Sequence, residues 1–171
     1  MKVLITGGVR SGKTRYALAR AEAAGPARRY IATAQALDAE MATRIARHQA
    51  ERGPGWSTIE EPLDIAPRLG GQPALVDCLT LWLTNLMMAR GEDACFDDEF
   101  SRLADAVARA DAPVFLVTNE VGLGIVPESA LARRFRDEAG RLSQRLAAVC
   151  DEVVLCVAGL PLHIKPPGGP R

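Results

Sequence analysis

Eight residues near the start of the chain constrain it most: Gly7-Gly8-Val9-Arg10-Ser11-Gly12-Lys13-Thr14 satisfies G-x-x-x-x-G-K-[ST] in full. Glycines let backbone N–H groups curl around phosphate oxygens, and a helix opening there aims its positive end at the same oxygens. Lys13 supplies a mobile positive charge, and the Thr14 hydroxyl can ligate Mg²⁺. The context is the one this mechanism needs, because an apolar run precedes the loop and a helical period follows it. Composition adds a second clue. Of the 21 basic residues only Lys2, Lys13 and Lys165 are lysines, so a basic position filled at random would usually carry arginine. The motif predicts a strand, a phosphate loop and a helix that together bind a nucleoside triphosphate.

The rest of the chain alternates short apolar runs with longer helical periods, which predicts an α/β fold with a largely parallel sheet. The expected strands are Val3–Thr6, Tyr30–Thr33, Ala74–Asp77, Val114–Thr118 and Val153–Val157, with Trp56–Ile59 as a weaker edge candidate. Unalternated runs of this kind suit strands covered on both faces. Helices are expected at Lys13–Ala24, Asp38–Arg52, Leu79–Arg90, Asp97–Ala110 and about Glu128–Val149. Gly25-Pro26 and Gly53-Pro54 are stop signals, since Gly tolerates the left-handed cap and Pro cannot continue a helix. In the fourth helix Phe100, Leu103 and Val107 share a face. In the last, Leu131, Phe135, Ala139, Leu142, Leu146 and Val149 recur at spacings of three and four. No repeat or internal linker interrupts the pattern. Residues 1–165 are expected to form one domain, and 166–171 a disordered tail with nothing to bury.

Composition excludes several classes. The 171 residues carry 21 basic and 21 acidic side chains, so the formal net charge is zero. A general nucleic-acid binder needs a basic excess to neutralise phosphates, and no nucleic-acid partner is expected here. An anionic ligand must be held by a local site instead of an overall field. The apolar neighbourhood Ala74–Ala89 is interrupted by Asp77, Thr80, Thr84 and Asn85, too polar for a membrane span. The N-terminal apolar stretch is too short for a signal peptide. Cys78, Cys95, Cys150 and Cys156 form no C-x-x-C pair, which predicts reduced thiols in a cytoplasmic protein, with neither zinc nor disulfides.

Other residues could serve the phosphate loop. Ala74-Leu75-Val76-Asp77 is an apolar strand ending in a carboxylate, the form taken where an acid meets Mg²⁺ or its waters. Val114–Glu120 ends Thr118-Asn119-Glu120, and residues just past strand carboxyl ends line the ligand crevice of open α/β sheets. Turn formation and helix capping explain Asn119 and Glu120 equally well. His48 shares a helical face with Met41 and Ile45, which by periodicity suits a partly buried structural histidine. An imidazole nitrogen can also attack phosphorus and carry a nucleotide covalently. His163 has no comparable setting and reads as structural or solvent-facing, and Leu79-Thr80-Leu81-Trp82-Leu83 reads as core.

Taken in order, several segments resemble one enzyme family. They are Thr6–Thr14, Tyr30-Ile31-Ala32-Thr33-Ala34, Glu40–His48, Val117–Pro127 with its T-N-E-V-G-x-G-I-V-P run, Phe135–Arg141, and Asp151–Val154 leading to Ala158-Gly159-Leu160-Pro161. The chain is similar to the bifunctional adenosylcobinamide kinase / adenosylcobinamide-phosphate guanylyltransferases of cobalamin biosynthesis, from Val3 to Lys165. The resemblance implies a RecA-like P-loop fold and a homotrimer. It implies phosphorylation of adenosylcobinamide by a nucleoside triphosphate (ATP or GTP), then transfer of GMP from GTP to that phosphate. The family's covalent histidine lies in R-I-x-x-H, matched by Arg44-Ile45-Ala46-Arg47-His48, so His48 becomes the nucleophile. Nucleotide contacts carry over to Gly7, Gly8, Val9, Arg10, Ser11, Gly12, Lys13 and Thr14, to Ala32, Thr33 and Ala34, to Arg52, to Glu60 or Glu61, and to Asp77. Thr14 and Asp77 would hold the metal. Ser143 departs from the family's usual Asn. The competing readings are a P-loop kinase of another small metabolite, with His48 merely structural, and, in a different class, a RecA-like ATPase acting on DNA or a nucleotide-dependent regulatory module.

Overall fold

The structure is a computed structural model and describes residues 1–35, 39, 43, 52–91 and 93–168. Its strands are β1 (Lys2–Gly7), β2 (Arg28–Ala32), β3 (Trp56–Glu60), β4 (Ala74–Asp77), β5 (Val114–Val117), β6 (Glu152–Val157) and β7 (Leu160–Lys165). Its helices are α1 (Lys13–Ala23), α2 (Leu79–Arg90), α3 (Asp97–Arg109) and α4 (Ala130–Val149), with a short 3₁₀ turn at Ala66–Arg68. The strands form one sheet in the order β3-β2-β4-β5-β1-β6-β7. Every neighbouring pair is parallel except β6 and β7.

Strand periodicity sorts the core into two layers. Val3, Ile5, Leu75, Phe115 and Val117 point to the face covered by α1, where they meet Ala17 and Ala21. Leu4, Val76, Val114 and Leu116 point the other way, onto Leu83, Phe100, Leu103, Leu142 and Leu146 of α2, α3 and α4. With both faces covered, strands need no polar alternation, which is why the central ones read as continuous apolar runs. Trp56–Glu60 does lie at the edge, and it is the least buried of the parallel strands.

The structure adds one strand that sequence reading omits. Leu160–Lys165 pairs antiparallel with β6 across a two-residue turn, Ala158-Gly159, in which both residues have positive φ (51° and 83°). Such a turn matches the right-handed twist of its strands and favours glycine at the second position. Pro161 hides the strand, because a proline cannot donate to a ladder and survives only where one side stays unpaired. At the outer edge of the sheet that condition holds. Helix boundaries otherwise fall within two residues of expectation. The expected helix Asp38–Arg52, with His48, lies outside the described residues apart from isolated positions. So do residues 169–171 of the expected tail. No helix among the described residues is long and apolar enough to cross a membrane.

Candidate active site

The loop between β1 and α1 sits at the carboxyl end of the sheet, beneath the ends of β4, β5 and β6. Gly12 has φ 90°, and a Cβ there would lie 2.9 Å from Gly159 Cα, so only glycine fits. The β6–β7 turn reaches the loop directly: the Gly159 N–H donates to Ser11 O at 2.9 Å. From the other side the Glu120 N–H donates to Gly7 O at 3.0 Å. The phosphate loop is therefore fixed by strand ends on both flanks.

Two side chains of the loop point into this end of the sheet. Lys13 is buried, and its Nζ donates to Gly8 O at 2.9 Å, which holds the ammonium over the loop. Thr14 Oγ1 lies 3.3 Å from Asp77 Oδ2, bringing the hydroxyl and the carboxylate together across 63 residues of chain. Ser11 Oγ is buried and has no hydrogen-bond partner among the described residues. A buried hydroxyl left unpaired is costly, and a ligand oxygen at the loop would satisfy it.

Asp77 is oriented by a residue that sequence reading did not single out. The Tyr30 hydroxyl donates to Asp77 Oδ2 at 2.9 Å. Burial, reinforced by the Asp77 charge, pushes the Tyr30 pKa well up, so the phenol remains a donor. The Arg52 guanidinium stands over the same ring, 3.9 Å from its centroid. The next layer is equally tied. Thr33 Oγ1 donates to Cys78 O and accepts from the Cys78 N–H, both at 2.8 Å. Asn119 Nδ2 donates to Thr80 Oγ1 at 2.8 Å, which ties the segment after β5 to the first turn of α2, where Thr80 is buried. Burial raises the Cys78 thiol above its ordinary range.

Other candidates take different roles in the structure. Glu61 accepts from the Leu63 and Asp64 amides and from Arg68, at 3.3, 2.9 and 2.9 Å. Partial burial opposes its ionisation, yet these donors hold its pKa below the usual carboxylate value. Its charge is committed to the turn after β3. Glu120 Oε1 likewise accepts from the Gly122 N–H at 2.6 Å, a turn contact. Glu60 is exposed at the end of β3, and Val9 is 81% exposed on the loop. Arg10 takes a positive φ of 55°. Ala32 and Ala34 flank the buried Thr33 just beyond the sheet. His163 proves structural: its Nδ1 lies 2.8 Å from Glu152 Oε1, away from the loop.

Residues 3–164 match the model of the family described as CobU, cobinamide kinase / cobinamide phosphate guanyltransferase. The chain belongs to this family. Its relatives include the bifunctional adenosylcobalamin biosynthesis protein CobP of Pseudomonas aeruginosa, 48% identical, with 96% of this chain and 98% of that protein covered. The CobU protein of Salmonella typhimurium is 46% identical, covering 96% of this chain and all of the relative. Among solved structures, the RadB recombinase superposes with a TM-score of 0.51 at 16% identity, covering 90% of this chain and 73% of that one. An ATPase of a type III secretion system gives 0.57 at 9% identity, covering 95% and 56%. At such identities the likeness is one of fold alone: a mostly parallel sheet flanked by helices.

Proposed function

We propose that the chain phosphorylates the aminopropanol hydroxyl of adenosylcobinamide with ATP or GTP, then transfers GMP from GTP to that phosphate, giving adenosylcobinamide-GDP. The observation that carries this reading is the meeting of Lys13, Thr14 and Asp77 at one phosphate loop, in a chain of the CobU family. Residues 1–165 act as the catalytic domain. Free cysteines and the biosynthetic relatives support a cytoplasmic setting, and the resemblance supports a homotrimer.

In this mechanism the backbone of Gly7–Thr14 surrounds the phosphates, and Lys13 stabilises charge on the β and γ oxygens during transfer. The Thr14 hydroxyl and Asp77 carboxylate are hard oxygen donors within hydrogen-bond reach of each other, a pair that fits Mg²⁺ better than a thiophilic ion. Bound there, Mg²⁺ would neutralise charge on the departing phosphate. Ala32, Thr33, Ala34 and Arg52 border the nucleotide on the β2 side, and an acidic residue at the end of β3, Glu60 or Glu61, completes that border.

His48 supplies the second activity. A neutral imidazole nitrogen attacks the α-phosphorus of GTP. The P–N bond forms as the bond to the bridging oxygen breaks, and pyrophosphate leaves with the electron pair. A phosphate oxygen of adenosylcobinamide phosphate then attacks the same phosphorus and releases the imidazole. An unperturbed histidine, with pKa near about 6.5, is largely neutral at pH 7, so no unusual environment is required.

Incubation with GTP labelled on the α-phosphate tests this. The wild type is expected to yield a protein–GMP adduct that mild acid removes, as a phosphoramidate requires. His48→Asn should form none while keeping part of its kinase activity. An adduct that persists in His48→Asn moves the nucleophile elsewhere. Kinase activity without any wild-type adduct favours a plain P-loop kinase.

A further inference from the structure

We propose that the apolar groove between α2 and α4 is the docking site of the corrinoid substrate. The inference rests on the kinase and transferase reading above and names the surface that would take its non-nucleotide substrate. The groove has a volume of about 790 Å³, within the ~300–1,000 Å³ usual for small-molecule sites. Thr84, Met87 and Met88 of α2 form one wall, Leu131 and Phe135 of α4 the other, and Val121 lies between them.

Position is the first argument. Val121 directly follows Glu120, whose N–H is bonded to Gly7 of the phosphate loop. Thr84 bonds back to Thr80 O at 3.0 Å, one helical turn from the Thr80 hydroxyl that receives Asn119. The groove thus opens off the crevice where the transferred phosphate must lie. A substrate held there could present its hydroxyl to that phosphate while its bulk stays clear of the nucleotide.

Chemistry is the second argument. A corrinoid is a broad macrocycle whose methyl-bearing faces are apolar and whose rim carries neutral amides. Methionine, leucine and phenylalanine suit the faces, with Met side chains adapting to an irregular outline. The Thr84 oxygen, whose proton goes to Thr80 O, can still accept from an amide N–H, and the Ser129 hydroxyl, which accepts from the Ala132 N–H, can still donate to an amide carbonyl. No carboxylate is present among the described lining residues. A second nucleotide would need cations for its phosphates, but Arg136 donates to Gly122 O and Ile125 O at 2.9 and 3.3 Å.

Those same bonds explain why the groove keeps its shape. Arg136 holds the loop at Gly122 and Ile125, and Arg133 holds it again at Pro127 O and Glu128 O, at 3.0 and 2.6 Å. The wall is built by the chain itself, and yet Met88 is 70% exposed and Ile125 97% exposed. Apolar surface of this kind marks a binding site. A second copy of the chain is the competing occupant.

Met88→Glu and Leu131→Glu place charge on two exposed positions without touching the phosphate loop. Adenosylcobinamide binding is read from its visible absorbance in equilibrium dialysis, GTP binding by displacement of a fluorescent analogue, and assembly by sedimentation velocity. Both variants should weaken adenosylcobinamide binding at least tenfold, with GTP affinity within twofold and sedimentation unchanged. Unchanged adenosylcobinamide affinity in both overturns the assignment. A changed sedimentation coefficient in either gives the groove to a second copy and overturns it too. Wild-type protein that neither binds nor phosphorylates adenosylcobinamide overturns the functional reading itself, together with the groove. An active wild type with indifferent variants overturns the groove alone.

Discussion

Tyr30 shows how much of the site depends on single contacts. Its hydroxyl and that of Thr14 both reach Asp77 Oδ2, at 2.9 and 3.3 Å, so one carboxylate oxygen is held from β2 and from the first turn of α1. Tyr30→Phe keeps the ring beneath Arg52 and removes only the hydroxyl bond. Such a bond is worth about 1 kcal/mol, roughly a fivefold effect on an equilibrium. The expected outcome is a several-fold rise in the Mg²⁺ concentration giving half-maximal rate, with little change in unfolding midpoint. Initial rates across a Mg²⁺ titration check it. An unchanged Mg²⁺ requirement would leave Tyr30 as packing and Asp77 as a strand-end acid.

At the scale of elements, one buried acid joins α1, β6 and β7. Glu152 is 1% exposed and receives Arg20 at 3.0 and 2.7 Å, with His163 at 2.8 Å. Arg20, against the opposing effect of burial, holds the Glu152 pKa below its ordinary value of 4.5. A depressed folded pKa contributes stability that is full above the unfolded pKa and disappears as pH falls through the folded one. Glu152→Gln leaves Arg20 without its charged partner at a largely buried site. It should cost about 3 kcal/mol at neutral pH, the low end for a severed buried pair. The deficit should shrink below about pH 4.5. Urea unfolding of both proteins at pH 7 and in acid measures this, and equal deficits at both values would contradict it. The far end of β7 has its own tie: Lys165 Nζ donates to Ala147 O and Cys150 O at 3.1 and 2.6 Å, capping α4.

At the scale of the whole molecule, both faces of the sheet are covered among the described residues, and the phosphate loop lies at the carboxyl ends of the strands. A ligand that binds only the folded state stabilises it by mass action, about 2.7 kcal/mol at a hundred times Kd. For a domain of this size that is a shift on the order of 5–10 °C in Tm. Saturating GTP with Mg²⁺ should produce this shift in the wild type. Lys13→Ala should lose most of it at the same concentrations, with turnover abolished. Thermal unfolding followed by circular dichroism checks the point, and an undiminished shift would remove Lys13 from the binding site.

Chain-adjacent chemistry was open to sequence reading. The strand, loop and helix around Gly7–Thr14 are contiguous, and so are the core stripe Phe100, Leu103, Val107 and the strand ending in Asp77; periodicity and spacing suffice for each. What joins distant segments was not open to it. Tyr30 reaches Asp77 only because β2 pairs with β4 in the register that sets Ala32 opposite Asp77. Gly159 meets Ser11 only because β7 folds back on β6, a hairpin that Pro161 conceals. The stripe on α4 carries the same lesson. Leu131 and Phe135 continue the period of Leu142 and Leu146, but the latter are covered and Leu131 is 42% exposed. Helical period records which face is apolar. Which turns of that face are buried and which remain as a groove depends on what packs against them, and that is decided by tertiary contact.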